Sequence, residues 1–289
     1  VPGRRNSIFP PSAIPEPLAA IIMKSLLTII IMTSIWTIFS CKDKKSTTNF
    51  KPQSHQDTTN KKVTQVIHGE KTDFDYSDFH DLKQNKYYDR FLAGQLNVPT
   101  GQIVCTDPMY RELGLPQSWT IAKGQYPVYL YIGLEDDFAG RVAYAELVVK
   151  DEIPKYWEMS LIPEHLLSDS FERKMNGMYP VENGLSCFAD FETYKLYDNE
   201  VSNYQKADTS NNYYNDKLDN LFKQNKNIPK SSRGEDWINY KFDGTDRNII
   251  MFGSGYGDGL YPRYVGYDKD GNAVKFITDF IQLKTSDDE

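Results

Sequence analysis

"MFGSGYGDGLYPRYVGYDKDGNAVKFITDF", Met251 to Phe280, reads as strand, glycine-rich corner, strand, turn, strand. Gly253, Gly255, Gly257 and Gly259 alternate with Ser254, Tyr256 and Asp258. That spacing permits left-handed backbone at several neighbouring positions. Lys269-Asp270-Gly271 is a turn signal between two strand-like runs, so the segment ends in a hairpin. The same glycines admit three readings: a tight corner between strands, a metal loop, or a catalytic loop.

Working outward, "QYPVYLYIGL" and "RVAYAELVVK" flank the turn "DDFAG" and predict a hairpin over 125–150. "GQIVCTDP" is a strand stopped at Asp107-Pro108. "KYWEMSLI", "DWINYKF" and "RNIIMFGSG" are further strands. A turn at Glu182–Gly184 runs through "LSCFAD" into a helix at Phe191. Helical spacing also marks part of 73–94, ending at Gly94, and Tyr214, Leu218, Leu221 and Phe222. The expected fold is α+β: a mostly antiparallel twisted sheet with two or three helices, in a single domain over 73–285.

The front of the 289-residue chain reads as an address. Met23 opens "MKSLLTIIIMTSIWTIFSC": a positive Lys24, an apolar run, a small Ser40, then Cys41. This is a secretory signal over 23–40. "TIFSC" resembles a bacterial lipobox, which implies lipid on Cys41. An uncleaved membrane helix over 18–39 is the alternative, though Lys24 would divide it. Residues 1–22, Pro-rich and lacking Met, read as an upstream extension of the frame. Residues 41–72 are polar and rich in Lys, Thr, Asn and Gln, a composition that cannot offset its ordering entropy. They form a tether of roughly 30 Å reach. Lys42-Asp43 resembles a surface-sorting signal of bacterial lipoproteins, and Asp57–Thr59 an O-glycosylation sequon. The expected location is the bacterial cell envelope, lipid-anchored at the periplasmic or surface face of the outer membrane.

Net charge is −7, and beyond residue 40 the chain holds 30 basic against 39 acidic residues. An acidic body argues against nucleic acid as a partner. The four histidines, His55, His68, His80 and His165, form no HxH or HExxH pair, and no CxxC occurs, so no zinc site is expected. No P-loop lysine follows the glycines, and no GxSxG elbow is present. Asp258, Asp268 and Asp270 are oxygen donors without the spacing of a calcium loop. No metal or cofactor is expected. Cys105 and Cys187 are either a disulfide or two buried free thiols.

An enzyme here must use carboxylates. Asp107, Asp190 and Asp258 are the candidates for an acid/base pair in glycoside cleavage. The structural alternative is that Asp107 caps the turn before Pro108 and Asp190 caps the helix at Phe191. A hydrolase places two of the three in one cleft; a binding module scatters them and exposes aromatics instead.

Four stretches occur in one order: "CTDP" at 105–108, "GQYPVYL" at 124–130, "PVENGLSCFAD" at 180–190 and "SGYGDGLYPRYVGYDKDGNAVKFITDF" at 254–280. Together they resemble the bacterial family called domain of unknown function 4241, over about 100–285. The motif loop is Gly255, Tyr256, Gly257, Asp258, Gly259, Tyr261 and Pro262, with Tyr256 where the family more often shows Trp. The resemblance carries no established activity. The genomic neighbourhoods of some relatives imply toxin–immunity or other interaction functions. The expected role is therefore a lipid-anchored binding protein with a protein partner, possible immunity-type; the alternative is a carboxylate-dependent hydrolase of cell-wall or glycan substrate.

Overall fold

The computed structural model describes residues 66–72, 87–110, 114–135, 138–168, 170–227, 229–232 and 237–281. The stretches expected as an upstream extension (1–22) and a signal (23–40), Cys41 and most of the expected tether lie outside these residues, as does 73–86. Among the described residues no helix is long and apolar enough to cross a membrane.

The fold is mainly β, not α+β. Of the described residues 43% are strand and 19% helix, in two antiparallel sheets with a sandwich-like arrangement. The larger sheet contains β1 (Lys71–Thr72), β2 (Tyr88–Val98), β5 (Gly124–Gly133), β6 (Val142–Val148), β7 (Tyr156–Met159), β8 (Met178–Val181), β12 (Gly259–Tyr267) and β13 (Ala273–Asp279). Its order is β1-β7-β12-β13-β6-β5-β2, with β8 also on β12. The smaller sheet runs β10-β11-β9-β3-β4. These strands are β3 (Gln102–Thr106), β4 (Pro116–Thr120), β9 (Leu185–Asp190), β10 (Trp237–Lys241) and β11 (Asn248–Gly253). The helices are α1 (Ser170–Lys174), α2 (Phe191–Ala207) and α3 (Asp219–Gln224), with a π-helical turn at Tyr214–Leu218.

Both predicted hairpins, β5–β6 and β12–β13, form. The helical spacing expected up to Gly94 gives no helix over 88–94, while 73–86 lie outside the described residues. Tyr88–Val98 is a strand paired along β5, and the register slips between Leu92 and Gly94. Ala93 is the extra residue of a bulge there, a common site for glycine in a strand. A Cβ on Gly94 would meet the Asn239 Nδ2 at 2.8 Å, so the neighbouring strand needs the space.

Strand periodicity explains the layers. On β11, Ile250 and Phe252 face the larger sheet, while Ile249 and Met251 face the helices. On β9, Phe188 points to the first core, and Leu185, Cys187 and Ala189 to the second. The inter-sheet core joins these to Val128, Leu130, Ala145, Leu147, Val265 and Phe276. α2 covers the other face with Tyr194, Tyr197 and Val201, spaced three and four apart.

The far end of the tether belongs to the body. Lys71 and Thr72 pair with Glu158 and Trp157 of β7, and the Met159 N–H donates to the Glu70 carbonyl at 3.0 Å. His68 Nδ1 lies 2.9 Å from the buried Glu158 carboxylate.

The glycine corner joins the sheets. β11 lies in the smaller sheet and β12 in the larger; β8 and β9 make the same change in the opposite direction. Gly253 sits opposite Leu185 on one ladder, and Gly259 opposite Val181 on the other. Two antiparallel strands thus bend together from sheet to sheet. The Ser254 N–H to Gly184 carbonyl bond, 3.0 Å, bridges the bend.

Candidate functional site

Of the four alternating glycines, Gly255 (φ +63°) and Gly257 (φ +100°) take left-handed conformations; Gly253 and Gly259 do not. The turn is fastened from several directions. The Ser254 hydroxyl and the buried Tyr261 hydroxyl both donate to the Gly257 carbonyl, at 2.6 and 2.9 Å. Arg141 Nη1 donates to the Gly255 carbonyl at 2.8 Å. Pro262 continues β12 opposite Met178, where its carbonyl accepts from the Thr278 hydroxyl at 3.2 Å.

Each of the three candidate acids is engaged by backbone N–H groups. Asp107 is fully buried at the end of β3. Its Oδ1 accepts from the Met109 N–H (2.7 Å), and its Oδ2 from the N–H groups of Glu182 (2.9 Å) and Asn183 (3.1 Å). Asp190, also fully buried, caps α2 by accepting from Glu192 and Thr193, and its second oxygen takes the N–H and hydroxyl of Thr100. Asp258 is exposed and accepts from the Gly184 N–H at 3.0 Å. Asp107 and Asp258 therefore meet on a backbone turn, and Asp190 serves a helix. Each holds N–H groups that would otherwise lack a partner.

The remaining sequence candidates are also placed. Asp268 closes the β12–β13 turn, accepting from Asp270 and Asn272 N–H groups at 2.9 and 2.8 Å. These bonds, with Lys150 at 3.0 Å, hold its carboxyl well below the usual range. Among the described residues no group of three His, Cys, Asp or Glu side chains is arranged for a metal. Cys105 and Cys187 are both free and buried. They sit on paired strands, but Cys105 is directly opposite Phe188 and Cys187 opposite Thr106. Their side chains consequently leave opposite faces of the sheet, Cys105 into the inter-sheet core and Cys187 toward α2. Burial pushes the Cys105 thiol up to about 11.

Two features escaped the sequence reading. Arg263 is 1% exposed, donates to the carbonyls of Cys105 (3.3 Å) and Met178 (3.0 Å), and lies over the Tyr179 ring. It ties β3, β8 and β12 together beneath the corner. The second is an open cleft of about 420 Å³ on the flank of the corner. Asn183, Gln205, Asn212 and Asn215 line it, with Met109 and Tyr214. The signal was the run of Asn and Tyr at 211–215, which leads into the π-helical turn. Such turns are frequent at functional sites.

Tyr256, at the tip of the corner, is 41% exposed. Its ring packs edge-on against Phe138, centroids 4.3 Å apart, with the Arg141 guanidinium 5.8 Å away. Leu134 and Tyr87, joined by a 2.9 Å backbone bond at the same hairpin end, are 43% and 49% exposed. The fold needs the glycines around Tyr256; it does not bury Tyr256 itself.

No curated protein and no solved structure matches the chain. Residues 96–278 match the family model described as Protein of unknown function (DUF4241), and the chain belongs to that family.

Proposed function

We propose that the protein is a binding module of the bacterial cell envelope, held to a membrane by lipid on Cys41, that engages a protein partner through the surface around Tyr256. The observation that carries this reading is Tyr256 itself: a large aromatic presented outward by two left-handed glycines and flanked by Phe138 and Arg141. Aromatic residues and arginine are the side chains enriched at the centres of protein interfaces. An immunity-type role is the form of this reading that needs contact and no turnover.

The hydrolase alternative gains no support from the acids. Asp107 and Asp190 direct their oxygens to backbone N–H groups inside the protein, and Asp258 serves the turn.

The test is cross-linked capture from envelope membranes by the full chain, its Tyr256→Ala variant and its Leu134→Asp variant. The expected result is one protein captured at fixed stoichiometry by the parent and lost from Tyr256→Ala, with unchanged melting temperature. Capture that survives both substitutions overturns the assignment. So does release of product from purified cell-wall glycan that disappears on Asp258→Asn.

A further inference from the structure

We infer that the cleft beside the β8–β9 turn is a second site, and that it takes an uncharged carbohydrate. The lining decides the ligand class. Among the described residues none of its lining side chains carries a charge, so an ionic ligand would lose water against them without gaining a counter-ion. The neighbouring carboxylate, Asp216, already accepts from the Tyr204 hydroxyl (3.0 Å) and the Asn212 N–H (2.9 Å).

The walls are carboxamides. Each amide offers donors and an acceptor on one rigid plane, which matches a sugar hydroxyl, itself both donor and acceptor. Several of these groups are open. The side chains of Gln205 and Asn215 make no hydrogen bond among the described residues. Asn211 uses its Nδ2 on the Tyr204 carbonyl, and Asn212 uses its Oδ1 on the Asn215 N–H, which leaves the opposite end of each amide for a ligand. Tyr214 is half-buried and supported from behind by Phe222, ring centroids 6.3 Å apart. It offers a fixed flat surface for the apolar face of a sugar ring. A volume near 420 Å³ lies within the usual range for small-molecule sites.

A peptide fits less well. Peptide recognition relies on an open strand edge or on apolar pockets for side chains. Here the rim is a turn and helix ends, and among the described lining residues Met109 alone is aliphatic.

Calorimetry on the full chain in detergent micelles tests the inference. The probes are lactose, maltose, cellobiose and di-N-acetylchitobiose, with digalacturonate and acetyl-Ala-Gly-Ala-amide as the charged and peptide counterparts. At least one neutral disaccharide should bind at a single site. Gln205→Ala with Asn215→Ala should weaken it at least about tenfold, equivalent to losing a hydrogen-bonding contact. Asn215→Ala alone, on an exposed side chain, should weaken it in the same direction, and Tyr256→Ala should leave it unchanged. The inference fails if none of the four disaccharides binds, if binding persists in both variants, or if digalacturonate or the tripeptide is preferred.

Discussion

Asp107 and Asp258 divide three successive backbone N–H groups between them: Asp107 takes those of Glu182 and Asn183, and Asp258 takes that of Gly184. One carboxylate is buried and comes from β3; the other is exposed and comes from the glycine corner. Together they close the turn at which β8 and β9 change sheet.

The two should therefore differ sharply on substitution. Asp107→Ala removes a fully buried carboxylate and strands the three backbone donors that it holds, and should cost about 2–4 kcal/mol. Asp107→Asn should lose most of that, because it brings an NH₂ to a place where every neighbour is already a donor. Asp258→Ala removes one solvent-accessible bond and should cost about 0.5–1 kcal/mol. Urea unfolding of the three variants checks the order. Equal midpoints for Asp107→Asn and parent would show that the carboxylate is not holding the turn.

Gly255 and Gly257 separate two costs that usually travel together. Both have positive φ, but a Cβ on Gly255 would meet the Val142 carbonyl oxygen at 2.7 Å and the Phe280 Cβ at 3.0 Å. A Cβ on Gly257 meets nothing within 4 Å. Gly257→Val should cost about 1–3 kcal/mol from backbone strain alone. Gly255→Val adds a clash and should cost about 3–5 kcal/mol. Gly259→Ala, without positive φ, crowds only the Tyr261 ring at 3.1 Å and should be the mildest. Thermal melts that rank Gly257→Val below Gly255→Val would contradict the geometry.

What the sequence disclosed follows the range of the interaction. Asp190 as the cap of α2 was legible because cap and helix are neighbours in the chain. The β12–β13 hairpin was legible for the same reason. Asp107 was legible only as a turn former, since its other partners lie about 75 positions away. In "YDRFLAGQLNV" the aromatic and aliphatic spacing imitates a helix because a bulge interrupts the strand alternation at Ala93. "PQSWT", with Pro, Gln and Ser, carries no strand alternation. It is held in the sheet by a distant segment: Trp119 Nε1 donates to the Ser160 hydroxyl, and that hydroxyl donates to the Gln117 side-chain carbonyl, both at 2.7 Å. A strand that imitates a helix, beside one without alternation, shifts the expectation from mainly β toward α+β.

The buried thiols set an alkaline limit on stability. Cys105 has an ordinary value of 9.0 raised to about 11 by burial, and Cys187 is raised for the same reason. A folded pKa above the unfolded one gives stability that is complete below the unfolded value and is lost as pH rises through the folded one. Stability should fall from about pH 9 upward, by about 1.4 kcal/mol per pH unit for each such group. Urea midpoints at pH 7, 9 and 10.5 should show this decline, and Cys105→Ala should make it shallower whatever its own cost at pH 7. Because both thiols are fully buried, Cys105 and Cys187 should also resist alkylation in the native protein at pH 8, and because they leave opposite faces of one sheet they should not cross-link. Its electrophoretic mobility should be the same with and without reductant, and faster migration of the unreduced chain would refute the pleat argument.

The last expectation concerns Cys41, whose small preceding residue and polar following segment support acylation. Each buried CH₂ of an acyl chain contributes about 0.8 kcal/mol, and one chain gives only marginal, reversible binding. The several chains carried by a bacterial lipoprotein cysteine meet that requirement; a membrane helix over 18–39 would meet it without any lipid. Cys41→Ala separates the two. Under lipid anchoring the variant loses incorporation of radiolabelled palmitate and leaves the membrane fraction, while the body, whose described contacts with β7 begin at His68, keeps its melting temperature. Under a helical anchor the variant stays in the membrane fraction after a high-salt wash, because screening removes surface charge attraction and not a buried apolar helix. Retention with no palmitate label on either protein would assign the front of the chain to the helix.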